Sequence, residues 1–270
     1  MKKQLLNKLG AGKNIYGTCI SSTVPLWGKA AKSAGLDFVF LDTEHIPLER
    51  MEVAQLCQLY SAMGIASIVR IPSPDPYAAC QMIDAGAEGV LAPYVENVEQ
   101  IREMVGAVKY RPLKGERLEK AVANPESLDP ELANYLQNYN RGNLCVINIE
   151  SKPAVDRLDD LLSEPGVDAV FIGPHDLSVS LDVPEKYDDP YFEEVVREII
   201  QKCRKHDVAV GIHFSELPER QIRWIEEGAN IIMHSSDMAI FSRQLKEDMN
   251  QIRAAAGDDL AVDGSEDFVV

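Results

Sequence analysis

The chain has 270 residues, of which 46% are hydrophobic, and this is enough to bury a large core without disulfides. Its 43 acidic residues outnumber 27 Lys and Arg residues, which gives a formal net charge of −16. Phosphates would be repelled by such a surface, so a nucleic-acid or anionic-membrane partner is not expected. A small anionic substrate stays possible, because local cations can reverse the sign inside a pocket.

The cysteines and the first residues indicate a reducing compartment. The five cysteines are scattered, with no CxxC pair, so we expect free thiols rather than a zinc site or a disulfide framework. The chain opens with basic residues but has no apolar run of signal-peptide or membrane-span length. We therefore expect a cytoplasmic protein that begins with a short helix.

Short apolar runs recur along the chain, and segments with helical spacing follow them. The runs are 15–20, 38–41, 65–69, 89–92, 144–149, 169–172, 208–212 and 230–233, and helical examples are 48–63, 98–108, 195–204 and 218–227. Strands that alternate with helices and are apolar throughout predict a parallel sheet covered on both faces. Eight such units in a chain of this length predict a single (β/α)8 TIM barrel, with an open doubly wound sheet as the alternative.

Two segments fall outside this rhythm. Residues 109–143 are too long for a simple loop, and we expect an active-site loop and an inserted helix over 129–138 between strands four and five. Asp129 would cap that helix and Pro130 would occupy its first turn. We assign 1–256 to the barrel and predict that 257–270, with five acids and no Lys or Arg, is a disordered tail.

The predicted strand ends are rich in polar side chains, and in a barrel the C-terminal strand ends form the active-site mouth. These side chains are Asp42, Glu44 and His45; Arg70; Asn148 and Glu150; His175 and Asp176; His213; and His234, Ser235 and Ser236. Each alone has a structural explanation, such as a helix cap or a core histidine. Together they would meet in one cavity, where buried charges must pair or hold an ion.

Glu150 and Asp176 end neighbouring predicted strands, which lie about 4.8 Å apart in a parallel sheet. Two carboxylates with water and substrate oxygens suit Mg²⁺ or Mn²⁺, whereas zinc usually recruits His or Cys. The turn at Gly173, Pro174 and His175 exposes backbone N–H groups that can hold a substrate carboxylate.

Five phrases then carry a family resemblance. They are LDTEHIP at 41–47, IVRI at 68–71, DPYAACQMIDAGAEGVLAPYVEN at 75–97, VINIES at 146–151 and VFIGPHDLS at 170–178. The sequence resembles the metal-dependent (class II) pyruvate aldolases of the HpcH/HpaI aldolase/citrate lyase family. The resemblance implies a hexamer built as a trimer of dimers that exchange their C-terminal helices.

The resemblance also implies roles for individual residues. Glu150 and Asp176 would hold the divalent ion (Mg²⁺ or Mn²⁺, with Co²⁺ also possible), and Arg70 would stabilise the enolate oxygen. His45, oriented by Asp42, would move the proton of the 4-hydroxyl group. The substrate carboxylate would be bound by Asn148, Gly173, Pro174 and His175.

The implied activity is reversible cleavage of a 4-hydroxy-2-oxo acid to pyruvate and an aldehyde. Asn148, His175 and Leu118 stand where the family often has Gln, Ala and Gly, so the substrate is left open. One alternative is a lyase of the same family with a citrate-like or acyl-CoA substrate, although no clustered Lys and Arg suggest a CoA groove. The other is a non-catalytic barrel that binds small acids.

Overall fold

The computed structural model describes residues 4–215 and 218–260, and its core is a closed barrel of eight parallel strands in sequence order. The strands are β1 (Ile15–Cys19), β2 (Phe38–Asp42), β3 (Ala66–Arg70), β4 (Gly89–Ala92), β5 (Leu144–Ile149), β6 (Ala169–Ile172), β7 (Ala209–Phe214) and β8 (Ile231–Ser236). Pairing of β1 with β8 closes the barrel, which confirms the TIM-barrel prediction and excludes the open sheet.

Helices surround the strands and occupy the predicted insertion. They are α1 (Gln4–Gly10), α2 (Leu26–Ser33), α3 (Arg50–Met63), α4 (Pro76–Ala85), α5 (Val98–Lys109), α6 (Gly115–Ala123), α7 (Pro130–Tyr139), α8 (Lys152–Asp156), α9 (Leu158–Ser163), α10 (Pro174–Ser180), α11 (Pro190–Lys205), α12 (Pro218–Glu226) and α13 (Asp237–Ala256). A short 3₁₀ helix, Pro125–Ser127, separates α6 from α7.

Alternation along each strand divides the core into two layers. On β2, Phe38 and Phe40 point into the barrel, whereas Val39 and Leu41 pack outward under the helices. Phe40 stacks on Phe171 of β6 inside the barrel, with ring centroids 6.2 Å apart. Because both faces are buried, the strands are apolar throughout, as the sequence indicates.

The ends of the barrel differ in chemistry. Leu5 of α1 packs on the interior cluster and so helps to close the N-terminal end, which leaves the polar C-terminal end as the mouth. The predicted strands are close to those found, but β7 and β8 run on to Phe214 and Ser236. They do so because polar residues such as His213 continue the backbone pairing, here with Met233.

The insertion holds two α-helices where one was predicted. Asp129 caps α7 by accepting from the Glu131 amide at 2.9 Å, and Pro130 is its first residue, as predicted. Helix α6, which the sequence analysis missed, packs Ala121 inward, and Leu118 and Val122 lie against Gly106 of α5.

The remaining predictions concern the cysteines and the termini. All five cysteines are free, as expected. Among the described residues, no helix is long and apolar enough to cross a membrane. Helix α13 ends at Ala256 and is capped by Gly257, whose φ of 78° suits glycine, and most of the predicted tail, 261–270, lies outside the described residues.

Candidate active site

Arg70 and Asp42 form the central ion pair of the barrel mouth. They are register partners at the ends of β3 and β2, so the sheet itself brings them together. Arg70 donates through Nε to Asp42 Oδ1 at 2.9 Å and through its terminal NH2 nitrogen to Oδ2 at 2.5 Å. Its guanidinium also lies 5.7 Å from the Phe40 ring centroid, which forms a floor beneath it.

This pair is buried and charged. Asp42 is only 1% exposed. Burial opposes its ionisation, but the hydrogen bonds and charge of Arg70 outweigh burial and hold the pKa of Asp42 below its usual value. Burial also opposes the charge of Arg70, but the hydrogen bonds and charge of Asp42 outweigh burial and raise the pKa of Arg70. The site therefore contains a fixed guanidinium whose direction is set by two hydrogen bonds.

Glu44 and His45 follow the pair at the end of β2. Glu44 Oε2 lies 3.2 Å from Arg70 Nε and 3.8 Å from His45 Nε2, and the His45 side chain is 51% exposed. The expectation that Asp42 orients His45 stays a prediction, and the direct contacts in the structure join other pairs. Both oxygens of Asp42 are taken by Arg70, and the acidic contact of His45 is Glu44.

Glu150 is the buried carboxylate of the opposite wall, at the end of β5. Its Oε1 accepts from the Tyr94 amide at 2.7 Å and its Oε2 from Asn148 Nδ2 at 2.5 Å. Burial raises the pKa of Glu150, and the charges of Asp176 and Glu44 add to this. Gly173 is required here, because a Cβ at that position would lie 2.8 Å from Glu150 Oε2.

The residues present fit a divalent cation. Burial and neighbouring acids disfavour the charged form of Glu150, which is the imbalance that a cation corrects. Asn148 Oδ1 is buried without a hydrogen-bond partner, so the site has an unused acceptor. In the part of the chain that the structure describes, no cluster of three or more His, Cys, Asp or Glu is set to hold a metal, and the roles of Glu150 and Asp176 as ligands stay a prediction.

The predicted carboxylate-binding turn lies beside Glu150. Gly173 precedes α10 and Pro174 is its first residue, so the free amides of the turn come from later residues, because proline has no N–H. His175 is 57% exposed and its Nδ1 lies 3.6 Å from Glu185 Oε1. Asn148 donates to Glu150, so its amide nitrogen orients that carboxylate.

Tyr94 is a site residue that sequence reasoning missed. It lies just after β4, its φ is 54°, and its amide reaches Glu150. A hydrogen bond to Glu44 is the main reason why its pKa is raised to about 12. Its place just after the fourth strand was the available signal, because residues that follow barrel strands lie at the mouth.

The two histidines of the last strands differ in environment. His213 Nε2 lies 3.3 Å from the Ser235 carbonyl, and burial, with Arg70 nearby, lowers the pKa of His213 to about 4. The pKa of His234 is lowered by burial and then by Arg243, a residue of α13 outside the barrel. Ser235 and Ser236 are buried, and Ser236 caps α13.

Comparison with known proteins matches this sequence and fold to one family. Residues 17–243 match the model of the family described as HpcH/HpaI aldolase/citrate lyase. The chain is 32% identical over 231 residues to a 2-dehydro-3,6-dideoxy-6-sulfogluconate aldolase of Pseudomonas putida, covering 86% of this chain and 89% of the relative. It is 29% identical over 240 residues to a 2-keto-3-deoxy-L-rhamnonate aldolase of Escherichia coli K12, covering 89% of each chain.

A solved structure agrees. The crystal structure of an HpcH/HpaI aldolase from Desulfitobacterium hafniense DCB-2 superposes with a TM-score of 0.81 at 28% identity, covering 92% of this chain and 96% of that one. The resemblance carried by the sequence phrases is thus confirmed, since the relatives are named as aldolases, which are carbon–carbon lyases, and the chain belongs to the HpcH/HpaI aldolase/citrate lyase family.

Proposed function

We propose that this protein is a class II aldolase that reversibly cleaves a 4-hydroxy-2-oxo acid to pyruvate and an aldehyde. The observation that carries the proposal is that one barrel mouth contains both an oriented guanidinium and a separate buried carboxylate. Arg70 is held by Asp42 on one wall, and Glu150 is held by Tyr94 and Asn148 on the other. Arg70 is already oriented, so it stabilises a negative charge that develops beside it without reorganisation.

The side chains divide the work of the reaction. His45 takes the proton of the 4-hydroxyl as the C3–C4 bond breaks, and the electron pair of that bond forms the pyruvate enolate while the aldehyde leaves. Glu44, 3.8 Å from His45 Nε2, stabilises the protonated imidazole. Arg70 faces the enolate oxygen. Glu150 and Asp176 would hold a divalent cation, which would supply Lewis acidity to the reaction when bound.

The relatives support this reaction class, since both are named as aldolases of oxo-acid derivatives of sugars. The citrate lyase part of the family description favours a second candidate, a lyase with a citrate-like or acyl-CoA substrate. A non-catalytic barrel that binds small acids is a weaker candidate, because binding alone does not need an accessible imidazole beside a paired acid and guanidinium.

The test is condensation by the whole protein. It is incubated with Mg²⁺ or Mn²⁺, pyruvate and a panel of aldehydes, and the products are read by mass. We expect adducts equal in mass to pyruvate plus aldehyde. Cleavage of citrate or an acyl-CoA ester, with no adduct from any aldehyde, would favour the second candidate.

We also propose a homo-oligomer of the hexameric, trimer-of-dimers type. Helix α13 supports it, because it buries one residue, Asp237, and exposes apolar side chains along its length: Ile240, Phe241, Leu245, Met249 and Ile252. A monomeric mass by light scattering at micromolar concentration would contradict this. Five free cysteines support a reducing, cytoplasmic location.

A further inference from the structure

His213 points into the mouth of the barrel, although the proposed reaction does not use it. Side chains alternate along β7, and a Cβ at Gly211 would lie 2.7 Å from Ile231 Cβ and 3.0 Å from the Phe171 ring. Those two residues belong to the barrel interior. His213 lies two positions on, and so has the same inward direction one layer nearer the mouth.

One ring nitrogen of His213 is already committed. Nε2 lies 3.3 Å from the Ser235 carbonyl oxygen, which can only accept, so Nε2 carries the hydrogen. Burial and the nearby Arg70 lower the pKa of the ring to about 4, which keeps it neutral. Nδ1 is therefore a hydrogen-bond acceptor, and it has no protein donor among the described residues.

The place of this acceptor relates to one half of the substrate. In the proposed reaction, residues at or just after the ends of β2, β3, β5 and β6 bind the pyruvate half and move the proton. The aldehyde half must then face the wall made by β7, β8 and β1. On that wall Cys19 is 1% exposed and Ser235 is 0% exposed, whereas His213 is only partly buried. Among the described residues that point inward from β7, β8 and β1, His213 is thus the accessible polar side chain.

We propose that His213 is a specificity-determining residue that accepts a hydrogen bond from a hydroxyl on the carbon next to the aldehyde carbonyl. The preferred partner of pyruvate is then a 2-hydroxyaldehyde, and the cleaved substrate is a 4,5-dihydroxy-2-oxo acid. The inference rests on the proposed aldolase function. An aldehyde without that hydroxyl leaves the Nδ1 acceptor unpaired. The cost of an unpaired polar group discriminates between two substrates more strongly than the net gain of one hydrogen bond.

The test compares two aldehydes that differ by one hydroxyl group, glycolaldehyde and acetaldehyde, each with pyruvate and Mg²⁺. The measured quantity is the ratio of their kcat/KM values. We expect the wild type to favour glycolaldehyde and His213→Leu to lower that ratio roughly tenfold, mainly by losing glycolaldehyde. His213→Phe keeps a ring of similar size without an acceptor, so it should act like His213→Leu and serves if the leucine variant does not fold.

Two further variants separate the acceptor from other effects. His213→Asn places an amide oxygen near the Nδ1 position and should keep most of the preference. His206→Leu is the matched control, because His206 lies after α11 at the opposite end of the barrel, where it pairs with Asp159 at 3.3 Å. The ratio in this variant should equal that of the wild type.

The outcomes distinguish this inference from the function on which it rests. In one outcome, the wild type forms adducts with both aldehydes while His213→Leu and His213→Phe leave the ratio of the two kcat/KM values unchanged. That result would overturn the role of His213 and would not affect the proposed aldolase function. No adduct with any aldehyde in the wild type would overturn the proposed function and this inference with it. Equal losses for both aldehydes in all His213 variants would assign His213 to general positioning instead.

Discussion

Arg70 and Asp42 share two hydrogen bonds across the ends of β3 and β2, at 2.9 Å and 2.5 Å, and they are register partners in the sheet. The planar guanidinium therefore has one orientation, fixed by a carboxylate that is itself buried. A group that stabilises developing charge works best when it is already oriented, so this pair should govern every reaction that passes through the enolate.

Arg70→Lys should lower kcat/KM for aldol cleavage by roughly two to three orders of magnitude. Lysine offers a point charge and cannot occupy both oxygens of Asp42 while facing substrate. Steady-state kinetics on the best substrate from the aldehyde panel measure this. Arg102→Lys is the control, because Arg102 makes a similar two-point pair with Glu164 on the exposed surface. Wild-type kinetics in Arg70→Lys would place Arg70 outside the site.

Asp42→Asn should damage aldol cleavage and oxaloacetate decarboxylation to a similar degree, by about tenfold to a hundredfold. Both reactions pass through the pyruvate enolate, and the substitution removes the charge that orients Arg70. Assays of both reactions on one protein sample measure whether the two losses are equal. A loss confined to aldol cleavage would mean that Asp42 serves His45 after all.

His45→Ala should separate the two reactions. Aldol cleavage needs a group to take the 4-hydroxyl proton and should fall by about 10²–10⁴-fold, the loss typical of a general base. Oxaloacetate has no such hydroxyl, so its decarboxylation should persist at close to the wild-type rate. Equal losses in both, with metal affinity unchanged by calorimetry, would make His45 a structural or enolate-binding residue.

Removal of divalent metal with EDTA should abolish both reactions, and Glu150→Gln should weaken Mn²⁺ binding measured by calorimetry. The amide is a poorer ligand for a hard cation than the carboxylate that it replaces. Glu164→Gln, a change of the same type on the surface, should bind Mn²⁺ like the wild type. Full turnover by metal-free protein would refute the class II assignment.

The lowered pKa of His213 predicts how stability depends on pH. Its pKa is about 4 in the folded protein, below the ordinary histidine value of 6.5 that we expect in the unfolded chain, so the unfolded chain binds the proton more tightly. The free energy of unfolding should therefore be unaffected above pH 6.5 and should fall as the pH drops from 6.5 to 4, by no more than about 3 kcal/mol from this group. Urea titrations of wild type and His213→Asn should show the shallower pH dependence in the variant. Parallel curves would indicate that His213 titrates normally.

The sequence by itself determined the barrel and the location of its chemistry. Apolar runs such as 144–149 coincide with the buried strands because both faces of a parallel barrel strand exclude water. Once eight such strands close, the polar residues after them, including Arg70 and Glu150, must lie at one rim. The helix caps at Asp129 and Asn97 are equally local, since each side chain bonds the backbone within three residues.

Only the tertiary structure decided how these side chains pair. Spacing along the chain does not show that Asp42 faces Arg70, that the Glu44 carboxylate turns toward the His45 ring, or that the Tyr94 amide reaches Glu150 across 56 residues. Nor does it show that His213 donates to Ser235 from the next strand. Strand register and barrel closure set these partners, because pairing depends on distances between strands that local sequence patterns do not contain.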